Sequence, residues 1–123
     1  ICKNQIKKGL SSVRSLIKLF KNGSSIALMI DQRVSEGLYT EFFGKKAYTT
    51  TIPAQFVKKF KCKIVPIYIE RLHNNNFNLE IFDPMDFENN KTIEEITLSL
   101  NIWLEKMILR NPSQWIWSHN RWK

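Results

Sequence analysis

At 123 residues with 43% hydrophobic content, the chain can bury one modest core and is too short for two domains. Its formal net charge of +8 favours anionic partners: nucleic acid, lipid headgroups, phosphorylated substrates or an acidic carrier protein. The longest uninterrupted apolar run, Ile26 to Ile30, falls far short of the roughly 20 residues that span a bilayer, and this excludes a transmembrane helix.

The apolar residues Ile6, Leu10, Val13, Ile17 and Phe20 recur at steps of three and four, which predicts a helix over Asn4 to Lys21. Asn22-Gly23 ends it, glycine being free to enter the left-handed region. Ser25 to Ile30 is nearly all apolar and reads as a strand covered on both faces, with Asp31 at its carboxyl end. Gln32 to Thr51 is polar and reads as a long irregular loop. Pro53 fits the first turn of a helix running to about Phe60.

Ile64 to Ile69 reads as a second strand, in which Pro66 calls for a bulge or an edge. The turn Asn74-Asn75-Asn76 links it to Phe77 to Phe82, where apolar and polar residues alternate, as in a hairpin. Thr92 begins the last helix with Glu94 and Glu95 in its first turn. Ile96, Leu100, Trp103, Leu104, Met107 and Ile108 form its buried face, and Asn111-Pro112 stops it. The fold class expected is α/β: a mixed, mostly parallel sheet with flanking helices, a right-handed crossover and an antiparallel edge hairpin. One domain covers 1–123.

Cys2 and Cys62 form no CxxC pair, and two histidines are too few for a zinc site. Both read as reduced cytosolic thiols, Cys62 half buried. No metal or cofactor is expected. The cations are scattered as the pairs Lys7-Lys8, Lys45-Lys46 and Lys58-Lys59 and the terminal Arg121 and Lys123, most of them read as solvated faces.

Four places carry chemistry. Ligands of α/β folds gather beyond the carboxyl ends of the strands, where Asp31-Gln32 stands; an aspartate there orients a base, binds a hydroxyl or simply caps a turn. Arg71, at the end of the second strand, either grips a phosphate or carboxylate or is an exposed strand-end cation. Neither histidine has an acid five positions on, so His73 reads as a loop residue and His119 as structural or ligand-adjacent. The closing run NPSQWIWSHNRWK sets Trp115, Trp117 and Trp122 beside His119, Arg121 and Lys123. It reads either as a plug for the core or as a surface meeting something amphipathic.

The pattern Pro112, Gln114-Trp115, Trp117, His119, Arg121-Trp122-Lys123 resembles the closing motif of the bacterial lipid A biosynthesis acyltransferases, within the lysophospholipid acyltransferase superfamily. Asp31-Gln32, then Gly37, then Phe42-Phe43-Gly44 is similar to that family's segment of a strand ending in Asp-Gln followed by Gly and Phe-Phe-Gly. The resemblance implies an acceptor-binding role for Asp31, Gln32, Gly37, Phe43 and Gly44, with Arg71 beside them. It places Trp115, Trp117, His119, Arg121 and Trp122 next to membrane or ligand. It further implies transfer of a fatty acyl chain from acyl carrier protein, or acyl-CoA, to a hydroxyl of a phosphorylated glycolipid at the cytoplasmic face of the bacterial inner membrane.

The superfamily's catalytic signature, a histidine followed after four residues by Asp or Glu, is missing from this sequence. The chain therefore reads as the carboxyl-terminal portion of such an enzyme, its base and its membrane anchor lying upstream of Ile1. The readings kept beside this one are an acyltransferase on another glycolipid or a phospholipid, and a basic module that binds lipid or nucleic acid without chemistry. Scattered cations and aromatics not interleaved on a sheet face speak against nucleic acid. Within the tail, Trp115 and Trp117 are expected to pack on the last helix and Trp122 to lie nearer the bilayer.

Overall fold

The computed structural model describes residues 5–6 and 10–123. Cys2, Lys7-Lys8 and the start of the first helix at Asn4 lie outside the described residues. The first helix, α1, spans Leu10–Lys21. It ends as expected, with Gly23 at φ 84 and the Ser24 amide donating back to Leu19 O at 3.1 Å.

The sheet differs from the expectation. Ser25 to Ile30 forms no regular element and pairs with no strand among the described residues. Met29 is 77% exposed and Leu28 40%, so the parallel pairing and crossover expected of this run are not present. Instead there are two separate antiparallel hairpins. A strand needs a ladder partner to satisfy its backbone, and these pairs form between neighbours in sequence, joined by short turns.

The first hairpin falls inside the segment expected to be an irregular loop. β1, Leu38–Phe42, pairs with β2, Lys45–Thr49, from Leu38 opposite Thr49 to Phe42 opposite Lys45. Phe43 and Gly44 make the turn with φ 51 and 69. Positive φ at both central residues matches the right-handed twist of the flanking strands, and Gly44 takes it without strain. The helix α2, Ile52–Phe60, carries Pro53 in its first turn and closes on a left-handed Lys61 whose amide donates to Val57 O at 2.8 Å.

β3, Ile67–Arg71, and β4, Phe77–Ile81, form the second hairpin, with Ile67 opposite Ile81 and Arg71 opposite Phe77. Asn74 and Asn75 supply the two positive φ angles of its turn. The strand starts later than expected because Pro66 interrupts it, leaving Ile64 with an isolated bridge to Met85. α3, Ile93–Arg110, begins on a complete capping box: Glu95 N–H donates to Thr92 Oγ1 at 3.1 Å, and Thr92 N–H donates to Glu95 Oε2 at 2.7 Å.

Two apolar clusters fill the interior. Phe42, Ala47, Leu104 and Ile108 form one, and Ala54, Val57, Ile96 and Leu100 form the other. α3 therefore spans both, and Ile30 packs against both, which places the residue before Asp31 at their junction. α1 closes onto α2 through Phe20, whose ring lies 5.4 Å from Phe56 and 4.9 Å from Phe60. Cys62 is half buried as expected, and burial pushes its thiol pKa up.

The second hairpin is held to α3 by one face alone. Arg110 lies over the Tyr68 ring at 4.6 Å and pairs with Glu80 at 2.7 Å. On the opposite face Ile67, Ile69, Phe77, Leu79 and Ile81 are all exposed. An apolar stripe of that extent is uncommon on a surface facing only water.

Candidate functional site

Asp31 and Gln32 sit in a bend directly after that unpaired run, both half buried. With no ladder on either side, the backbone here must find other partners. Two of them come from the C-terminal segment. The Ile30 carbonyl accepts from Arg121 Nη1 at 2.9 Å. The Arg33 amide donates to His119 Nε2 at 3.0 Å. These bonds bracket Asp31-Gln32.

Arg121 is 1% exposed, the largest fully buried side chain among those described. Its Nη2 donates to Thr49 Oγ1 at 3.2 Å and to Asn101 Oδ1 at 3.1 Å. The guanidinium lies over the Phe42 ring at 4.1 Å, a favourable contact for a desolvated cation. Asn101 completes the network through Nδ2, which donates to Glu41 O at 2.8 Å and Thr49 Oγ1 at 3.1 Å. Among the described residues no carboxylate comes within ion-pair distance of Arg121, and its Nε has no hydrogen-bond partner. Burial lowers its pKa, opposed by the charges of Asp31 and then Glu105, and the guanidinium stays protonated at neutral pH.

The Phe43-Gly44 turn is tied to the same base. Phe43 N–H donates to Glu105 Oε1 of α3 at 2.7 Å, and the Trp122 indole N–H donates to Phe42 O at 2.9 Å. Gly37 has a packing role: at φ 149, a Cβ there would collide with the Thr49 carbonyl.

Two expectations about the tail are corrected. Trp122 is not the exposed member: its ring packs 5.6 Å from Phe42 and 6.1 Å from Trp115, inside the first apolar cluster. Trp117 is the exposed one, at 47%, meeting Trp115 edge to face at 4.7 Å and lying tilted to Phe43 at 6.2 Å. Arg121 is buried, at 1% exposed. The reason is geometric: a single 3₁₀ turn at Trp117–His119 and a left-handed Asn120 at φ 43 reverse the chain and drive Arg121 and Trp122 inward.

Arg71 stands elsewhere. Its backbone pairs with Gln114, N–H to Oε1 at 2.8 Å and O from Nε2 at 2.6 Å, and its guanidinium donates to Asn75 Oδ1 at 2.9 Å. It lines an open pocket of about 640 Å³ with Glu70, Leu72, His73, Asn111, Ser113 and Gln114, a set without Asp31 or Gln32. The structure thus gathers Asp31, Gln32, Phe43, Trp115, His119, Arg121 and Trp122 into one region and leaves Arg71 outside it. Sequence reasoning missed Thr49, Asn101 and Glu105. A polar residue at 101, between the core positions Leu100 and Leu104, was the available signal.

The sequence model of the bacterial lipid A biosynthesis acyltransferase family matches residues 3–123. The chain belongs to that family. No curated protein matches it in direct sequence comparison. Among the described residues no helix is long and apolar enough to cross a membrane.

Proposed function

We propose that the protein transfers a fatty acyl chain from acyl carrier protein to a hydroxyl of a phosphorylated glucosamine-disaccharide lipid, with Asp31-Gln32 facing that acceptor. The family match over residues 3–123 carries the acyl-transfer reading. The +8 charge suits both an acidic carrier protein and a phosphorylated acceptor. The reaction needs a base to take the hydroxyl proton as its oxygen attacks the thioester carbonyl, with the carrier's thiolate leaving. Asp31 sits in the polar bend the tail holds in place, and its carboxylate can accept a hydrogen bond from a sugar or acyl-chain hydroxyl. The base that the family resemblance implies is a histidine followed after four residues by an acid, a pair that Ile1–Lys123 does not contain. The work takes place at the cytoplasmic face of the inner membrane.

The test is a transfer assay with purified full-length protein, radiolabelled acyl carrier protein thioester and the phosphorylated disaccharide lipid, with acyl-CoA as a competing donor. Label should appear on the acceptor's hydroxyl, and an acceptor lacking free hydroxyls should take none. Absence of transfer from either donor would sink the reading.

A further inference from the structure

We infer that residues 119–122 form a positioning clamp for the acceptor-facing bend, in which His119 and Arg121 fix the two peptide groups that bracket Asp31-Gln32. The inference rests on the acceptor-facing reading of Asp31. Its evidence is the distribution of hydrogen bonds. The bend has no strand pairing of its own, yet Ile30 O is taken by Arg121 at 2.9 Å and Arg33 N–H by His119 at 3.0 Å. One residue further on, Trp122 holds Phe42 O at 2.9 Å. Three residues within one four-residue stretch therefore set the Asp31 bend and the Phe43-Gly44 turn against a common base.

Arg121 shows why this base is stiff. A buried cation without a carboxylate partner is costly, and it persists only where its donors reach several fixed acceptors. Here they reach the bend, β2 and α3 together, through Ile30 O, Thr49 Oγ1 and Asn101 Oδ1. The planar guanidinium spans all three, whereas a lysine ammonium is a point donor. His119 differs in kind. It is exposed, so its bond adds little to stability. What it fixes is the direction in which the peptide after Gln32 points, and a misplacement of about 1 Å at such a group is enough to slow a reaction many-fold.

The experiment uses full-length protein carrying His119→Phe, His119→Gln or Arg121→Lys. It reads acceptor and donor kinetics separately, the melting temperature, and amide exchange at Arg33 without substrate. For His119→Phe the clamp predicts a loss of roughly tenfold in kcat/KM for the lipid acceptor, an unchanged KM for the carrier-protein thioester, an unchanged melting temperature and faster exchange at Arg33. His119→Gln, whose Oε1 can accept from the same amide, should restore both the acceptor constant and the protection. Arg121→Lys should fail to restore full acceptor kinetics even where it folds.

Unchanged Arg33 exchange in His119→Phe overturns the clamp, and this arm stands even if the wild-type protein shows no transfer to the glycolipid. Faster exchange with unaltered acceptor kinetics overturns the positioning role. A parallel rise in donor KM and acceptor KM with a lowered melting temperature overturns it as well, since that is the mark of a purely structural contact.

Discussion

Arg121 and Ile30 stand 91 residues apart and are joined by a guanidinium-to-carbonyl hydrogen bond of 2.9 Å. That bond ties the end of the chain to the residue immediately before Asp31, at the point where the two apolar clusters meet. The tail is therefore part of the site's foundation.

Asn101 is the hinge of the buried network. Replacing it by Leu strands Glu41 O and leaves Arg121 Nη2 with Thr49 Oγ1 alone, so Asn101→Leu should destabilise the protein by about 3 kcal/mol in chemical denaturation. A cost below about 0.5 kcal/mol would show that the network reorganises freely.

The tryptophans should separate into two classes. Trp115 and Trp122 pack into the cluster around Phe42, so Trp115→Ala and Trp122→Ala should each cost about 3 kcal/mol. Trp117, half exposed, should cost under about 1 kcal/mol. A larger loss for Trp117 than for Trp122 would contradict the observed packing.

Which of these features could be read from the sequence follows from what fixes each. α3 was legible because Thr92 and Glu95 cap it locally and its apolar period is unbroken. The β3–β4 hairpin was legible because alternation and an asparagine turn are local signals. The β1–β2 hairpin was not, since Lys45-Lys46 and two tyrosines hide the alternation of Thr40, Phe42, Ala47 and Thr49. The order of burial in the tail was not legible either. It depends on a left-handed Asn120, and arginine at 121 signals a surface unless the acceptors waiting for it are known. Asp31 and Gln32 were expected at the carboxyl end of a strand and stand instead in a bend after an unpaired run. The strand pairing expected of that run depends on partners that residues 25–30 do not themselves specify.

The glycines give a sharp contrast. Gly37→Ala must push against the Thr49 carbonyl at an unfavourable φ and should cost about 3 kcal/mol. Gly44→Ala meets no atom within 4 Å and should cost only the left-handed strain, about 1 kcal/mol. Equal losses in thermal denaturation would refute the close approach at Gly37.

The capping box makes a pH prediction. Hydrogen bonds from Thr92, first the backbone amide, lower the Glu95 carboxyl pKa in the folded protein. Its contribution is therefore present above the unfolded-state pKa and is lost as pH falls through the lower folded-state value. Stability curves of wild type and Glu95→Gln should differ near neutrality and converge in strong acid. Curves offset by a constant amount at every pH would show that ionisation of Glu95 plays no part.

The most direct measurement is acyl transfer by purified full-length protein carrying Asp31→Asn. The account predicts a fall of roughly 100-fold in kcat/KM for the lipid acceptor, about 2.7 kcal/mol, with the melting temperature unchanged. Turnover within about twofold of wild type would show that Asp31 is a turn residue and that the acceptor binds elsewhere.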